Sequence, residues 1–188
     1  MSAAHEPNVH RWTRVEYDAM VESGLFDQSN VELLDGAVID LAPASNRHAW
    51  VNALLVRNLT LRLDPERYLV CGQSPLALDD ISEPEPDVMV LQARSGLYLD
   101  DHPSPADVVL VIEVSYSSWR YDAGEKLAVY ARGQVPEVWL VDLNTDVVHI
   151  CRLPVGGNYS DRSVVQLDGS VTVPGTGVAV EVATFLRP

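Results

Sequence analysis

The stretch DVVLVIEVS, residues 107–115, constrains this chain more than any other. Side chains alternate along a strand, so Val108, Leu110, Ile112 and Val114 face one way. Val109, Val111, Glu113 and Ser115 face the other, and both rows are apolar as far as Glu113. A strand that is apolar on both faces is a central strand covered on both sides. It predicts an α/β (α+β) fold in which a mixed central β-sheet is flanked by helices. Glu113 then stands at the end of a buried row. An ionised carboxylate buried without a partner is costly, so at that place it needs a cation, a metal or a proton. The alternative is that Glu113 lies just past the buried part and meets water.

The rest of the chain supplies the layers. TRVEYDAMVESG reads as a helix, with Thr13 and Glu16 at capping-box spacing and Gly24 as its stop. VELLDGAVIDLAP reads as a hairpin about Asp35-Gly36. SNRHAWVNALLVRNLTLRLD is the longest helix, capped by Ser45 or Asn46, with Val51, Leu54, Leu55, Leu59 and Arg62 on one side. YLVC, PLALDD and DVMVL read as strands ahead of the central one. RYDAGEKLAVYARG reads as a helix ended by Gly133 and Pro136, and EVWLVDL and DVVHICRL as a second hairpin. From PVGGNYS onward the pattern is of extra short C-terminal strands broken by glycine and proline. With no linker or repeat, residues 1–188 read as one domain, with 1–12 as a flexible N-terminal segment.

Two further residues can join Glu113. Asp87 opens DVMVL behind Pro86, which holds the preceding chain extended. Alone it reads as a strand-entry residue. Paired with Glu113 from a neighbouring strand end, it makes a hard oxygen site suited to Mg2+ or Mn2+. Glu83 and Glu85, just upstream, read as solvated charges. Lys126 lies beside the apolar face formed by Ala123, Leu127, Tyr130 and Ala131, on the helix that returns over the end of the central strand. It could reach the carboxylates, or it could form a surface pair with Asp122 one turn earlier.

Composition limits the function classes. Hydrophobic residues make up 47% of the chain, enough for a substantial core, yet no apolar run approaches the roughly 18–20 residues a membrane span requires. No basic segment followed by an apolar one opens the chain, so no secretory signal is expected. Cys71 and Cys151 read as free thiols of a cytoplasmic protein. There is no nucleotide-binding loop and no Ser-His-Asp arrangement. The net charge of −14 counts against avid nucleic-acid binding and fits a protein that binds divalent cations or a basic partner. The arginines Arg47, Arg57, Arg62 and Arg67 form a modest positive patch on and just beyond the long helix.

EPEPDVMVL, VLVIEVSYSS and YDAGEKLAVYARGQVPEVWLVD, with the earlier VELLDG and PASNRH, together resemble the Uma family of restriction-endonuclease-like proteins. That family belongs to the PD-(D/E)xK nuclease superfamily. The likeness runs from about Tyr17 to Arg152 and rests on the ordered set of motifs. It implies a restriction-endonuclease-like core and hydrolysis of DNA phosphodiester bonds. It implies that Asp87, Glu113 and the Val114 main-chain carbonyl hold Mg2+ or Mn2+, with Glu32 as a further acidic support. Where the superfamily carries a lysine two residues after the glutamate, this chain has Ser115. The resemblance moves that role to Lys126 on the following helix, orienting or deprotonating a water or stabilising the transition state. His48 matches a family position, set against a buried, hydrogen-bonded histidine; Glu32 is set against an exposed strand residue. Tyr130 is set between packing and a stacking or phosphate contact. A non-catalytic binding or assembly module that keeps the fold, paired as a homodimer through its apolar C-terminal strands, is the other class of reading. A third is hydrolysis of a small phosphate ester at the same metal site.

Overall fold

The computed structural model describes residues 8–187. Most of the N-terminal segment expected to be flexible, residues 1–7, lies outside the described residues. At its end, the Trp12 N–H donates to the Gly36 carbonyl at 2.9 Å and Arg11 Nη1 to the Asp35 carbonyl at 2.8 Å.

Thr13 caps α1 (Arg14–Glu22) with the reciprocal bonds the sequence predicts. The hairpin β1 (Val31–Leu34) and β2 (Ala37–Asp40) turns on Asp35 and Gly36, both with positive φ. A Cβ on Gly36 would lie 2.7 Å from the Arg11 Cβ and 3.0 Å from its Cα, at a φ of +72°. Gly36→Ala is therefore expected to cost about 1–3 kcal/mol, measured as a lowered midpoint in urea denaturation.

Ser45 caps α2 (Asn46–Arg62), whose Val51, Leu55 and Leu59 are buried against the sheet. Each such burial stabilises by about 1.5–3 kcal/mol. Arg62, placed on the apolar side by the spacing, is exposed and turns back onto Asn58. The main sheet follows: β3 (Tyr68–Gly72), β4 (Val88–Gln92), β5 (Val108–Ser115), β6 (Glu137–Asp142), β7 (Val147–Val155) and β8 (Asn158–Val165). They lie in that spatial order, with β5 and β6 parallel and every other pair antiparallel. β5 is internal to the sheet, and both of its faces are buried from Leu110 onward. Leu110, Ile112 and Val114 join the core beneath α2, while Val111 joins the opposite core. The alternation slips at its start, where a register shift opposite Val90 and Leu91 puts Val108 in the second core.

The parallel crossover from β5 to β6 runs through α3 (Trp119–Tyr121), a π-helical segment (Asp122–Lys126) and α4 (Leu127–Arg132). The sequence predicts one unbroken helix there. Asp122 and Lys126 are both drawn inward by polar partners, and Gly124 between them leaves the backbone free to widen. PLALDD is not a strand. Leu76 and Leu78 do point into the second core, but this segment pairs back on its own chain, Leu76 N–H to the Pro84 carbonyl and Leu78 N–H to the Ser82 carbonyl. The C-terminal strands are longer than their glycines and prolines suggest: β8 completes the main sheet, and β9 (Ser170–Thr172) with β10 (Ala179–Glu181) makes a small ribbon before α5 (Ala183–Leu186). No helix among the described residues is long and apolar enough to cross a membrane. Cys71 is half-buried and Cys151 buried, and both are free thiols.

Candidate active site

A cleft crosses the end of the sheet where α2, the β4 entry, the end of β5 and the π segment converge. Among its lining residues are His48, Asp87, Glu113, Val114, Asp122 and Lys126. Sequence and topology place them simply. β4 pairs antiparallel with β5, so the start of β4 meets the end of β5. The parallel crossover then carries the next helix back over that same end.

Asp87 precedes β4 by one residue and is held by three donors. Asn52 Nδ2 donates to Oδ1 at 2.8 Å, the Val114 N–H to Oδ2 at 2.8 Å, and His48 Nε2 lies 3.1 Å from Oδ2. Burial alone would raise the Asp87 pKa; His48, Val114 and Asn52 outweigh it and hold the carboxyl below its usual range. His48 is raised in turn, chiefly by its bond to Asp87. The sign of the linkage follows. The Asp87 contribution is present above 3.8 and lost as pH falls through its lower folded value. The His48 contribution is complete below 6.5 and lost as pH rises through its higher folded value. His48→Leu is therefore expected to cost about 1.5–3 kcal/mol near pH 5 and less near pH 9, read from urea denaturation across that range.

Glu113 is 2% exposed and lines the same cleft. Its Oε1 accepts from Tyr130 Oη at 2.5 Å and from Lys126 Nζ at 2.9 Å. Burial pushes its pKa up to about 8, and Lys126 opposes that rise. Lys126 is 3% exposed. Its Nζ also meets Glu32 Oε2 at 3.0 Å and the Glu85 carbonyl at 3.4 Å. Burial works to lower the Lys126 pKa, but Glu113 and Glu32 overcome it, so the ammonium stays charged. Lys126 thus reaches the carboxylates. The surface pair with Asp122 is not formed; Asp122 is buried and accepts from Ser115 Oγ at 2.7 Å and Ser118 Oγ at 2.6 Å. Ser115, at the position where the resemblance expects a lysine, is buried and anchors Asp122.

Glu32 is fully buried, not an exposed hairpin residue. It accepts from Tyr121 Oη at 2.7 Å and from the Glu85 N–H at 3.0 Å. Tyr130 is fully buried under Glu113 and cannot stack on a nucleobase. Glu83 and Glu85 are not solvated charges. Glu83 is 3% exposed, 3.2 Å from His102 Nδ1 and 3.7 Å from Arg14 Nη1; Glu85 is half-buried beside Lys126, and burial raises its pKa. The reason is shared: SEPEP packs against β1, with the Leu33 N–H bonded to the Glu83 carbonyl. The arginine patch is weaker than the sequence suggests, because Arg47 is bound to Asp146 and to the Leu143 carbonyl.

Asn52 was the residue that sequence reading missed. It is a polar residue one helical turn from His48, inside the buried stripe of Val51, Leu55 and Leu59. That interruption of an apolar stripe is the signal that could have found it. Tyr121 carried no comparable signal, since its role depends on a hairpin far upstream in the chain.

Among the described residues, no group of three or more His, Cys, Asp or Glu side chains is arranged to hold a metal ion. Two carboxylates nevertheless suit Mg2+, which takes one or two carboxylates and completes its shell with water and substrate phosphate. A carboxylate has about four lone-pair positions, so the three donors on Asp87 leave one open. Both hydrogen bonds to Glu113 fall on Oε1, and Oε2 accepts none among the described residues. The two side chains therefore keep acceptor capacity that a cation can use.

A restriction-endonuclease-like α/β fold with acidic residues and a buried lysine at the end of its sheet is the class that these features define. The chain belongs to the family Uma2, described as "Putative restriction endonuclease", which matches residues 15–183. A crystal structure of a "putative nuclease belonging to DUF820" from Anabaena variabilis ATCC 29413 superposes with a TM-score of 0.70 at 15% identity, covering 85% of this chain and 90% of that one. No curated protein matches the chain.

Proposed function

We propose that the protein is a divalent-cation-dependent endonuclease that hydrolyses DNA phosphodiester bonds. The observation that carries this reading is the Lys126 ammonium, 2.9 Å from Glu113 and 3.0 Å from Glu32, in the cleft that Asp87 also lines. Asp87, Glu113 and the Val114 carbonyl would hold Mg2+ or Mn2+, with Glu32 behind them. A divalent cation there supplies Lewis acidity to a phosphoryl oxygen and lowers the pKa of a water. Lys126, kept protonated by two carboxylates, acts not as a base but as a donor: exchanging its long 3.4 Å contact with the Glu85 carbonyl would free one N–H for the attacking water or for a phosphoryl oxygen whose charge grows in the transition state. His48 and Asn52 fix Asp87. Tyr130 and Tyr121 fix Glu113 and Glu32. Ser115 and Ser118 fix Asp122 at the rim. The chain works as one domain, in the cytoplasm.

One observation favours the other reading, a non-catalytic binding or assembly module. The cleft is satisfied internally: Asp87 has three donors, and Lys126 already neutralises Glu113. Such a module would pair as a homodimer through the apolar rim of β7 and β8, where Leu153 is 63% and Val155 65% exposed. Purified protein with supercoiled and single-stranded DNA, in Mg2+ or Mn2+, separates the two. Cation-dependent nicking supports the nuclease. Intact DNA together with no cation-dependent shift in thermal midpoint supports the module.

A further inference from the structure

We infer that Asn52 is a positioning residue for Asp87, which sets the carboxylate in the orientation that a cation requires; the inference rests on the cation site proposed above. Asn52 is 9% exposed, and its Nδ2 donates to Asp87 Oδ1 at 2.8 Å. Its own carbonyl, Oδ1, is buried without any hydrogen-bond partner. A buried acceptor left unpaired is destabilising. An apolar side chain would continue the stripe of Val51, Leu55 and Leu59 at no such cost. The amide is therefore placed for what its other end does.

Its geometry explains why one donor would not suffice. The Val114 N–H and His48 both approach Oδ2. Alone, they would let the carboxylate pivot about that oxygen. Asn52 holds the opposite oxygen from α2, one turn below His48, so two elements lock the carboxylate plane. Donors that orient a metal-binding side chain in this way typically change cation affinity 10–100-fold when removed.

The test is titration of Mn2+ alone into the cation-free protein, wild type against Asn52→Leu, by calorimetry. The dissociation constant is expected to weaken 10–100-fold. Asn52→Gln, which keeps an amide donor on the same face, is expected to recover part of that loss. Asn58→Leu, on the same helix but outside the cleft, is expected to leave affinity unchanged. Affinity for Asn52→Leu within about twofold of wild type overturns the inference. If Asn52→Leu does not fold, Asn52→Ala takes its place. If wild type binds no Mn2+, the cation site itself has failed. The crystal structure of Asn52→Leu then decides the positioning role: an Asp87 carboxylate turned about Oδ2, with Oδ1 displaced, upholds it, and an unmoved one overturns it.

Discussion

Asp87→Asn is expected to abolish cation-dependent DNA cleavage, with a loss on the order of 10^3-fold or more, while the protein still folds. Two effects combine. The substitution removes half of the anionic charge that Asp87 and Glu113 offer a cation, and the Lewis-acid contribution of such an ion is worth several kcal/mol of transition-state stabilisation. It also reverses hydrogen-bond polarity at one atom. Asp87 accepts on both oxygens, from Asn52 on one and from Val114 and His48 on the other. An asparagine has a single acceptor; with its oxygen kept toward Val114 and His48, its NH2 group faces Asn52, whose amide must turn its unpaired Oδ1 to accept from it. That rearrangement and the loss of charge assistance to the bonds from Val114 and His48 cost about 1 kcal/mol. Urea denaturation reads the second effect, and initial cleavage rates read the first. Cleavage within tenfold of wild type would remove Asp87 from the site.

Lys126→Met should be the most destabilising single change in the cleft, about 3–5 kcal/mol near pH 8. The lysine is the cation between Glu113 and Glu32, both of them buried. Methionine fills similar space but leaves both carboxylates without compensation. The pH dependence has a definite sign. Glu113 already sits above its ordinary 4.5, at about 8, and loss of Lys126 removes the influence that opposes that rise. A carboxyl raised in the folded state binds more protons there than in the unfolded chain, so stability falls as pH rises and returns as pH drops. The variant should therefore regain much of the loss near pH 5, where Glu113 is protonated at little cost. Denaturation of both proteins at several pH values checks this. A deficit that does not change with pH would mean that Glu113 is not the group left uncompensated.

The two cleft carboxylates were legible in the sequence because strand alternation is local. DVVLVIEVS placed Glu113 at the end of a buried row, and the same arithmetic made β5 a central strand. Pro86 marked the entry of Asp87 for a similarly local reason. The reach of Lys126 required only that the crossover helix return over β5. What escaped was set by contacts between segments distant in the chain. Glu32 stood between a supporting acid and an exposed hairpin residue because nothing in VELLDG announces Tyr121, 2.7 Å from it in space. Glu83 and Glu85 looked solvated because acidic residues between prolines usually are; here the segment packs against β1. For Asp122, helical spacing offered Lys126 as one alternative, whereas the folded chain supplies Ser115 and Ser118. PLALDD misled by true alternation, with Leu76 and Leu78 buried by a segment that folds back on itself.

The claim that Asp87 and Glu113 share a cation is tested most directly by the protons released when it binds. In the cation-free protein burial holds the Glu113 pKa above the usual carboxylate range although Lys126 opposes the rise, and a carboxylate must be fully ionised to serve as a ligand, so a cation at Glu113 draws protons off the site. Calorimetric titration with Mg2+ or Mn2+ near pH 7, repeated in buffers of different ionisation enthalpy, counts those protons. Wild type is expected to release protons as the cation binds, and Glu113→Gln to bind weakly and release fewer. Binding with no proton release, or release unchanged in Glu113→Gln, would contradict the assignment of Glu113 as a ligand.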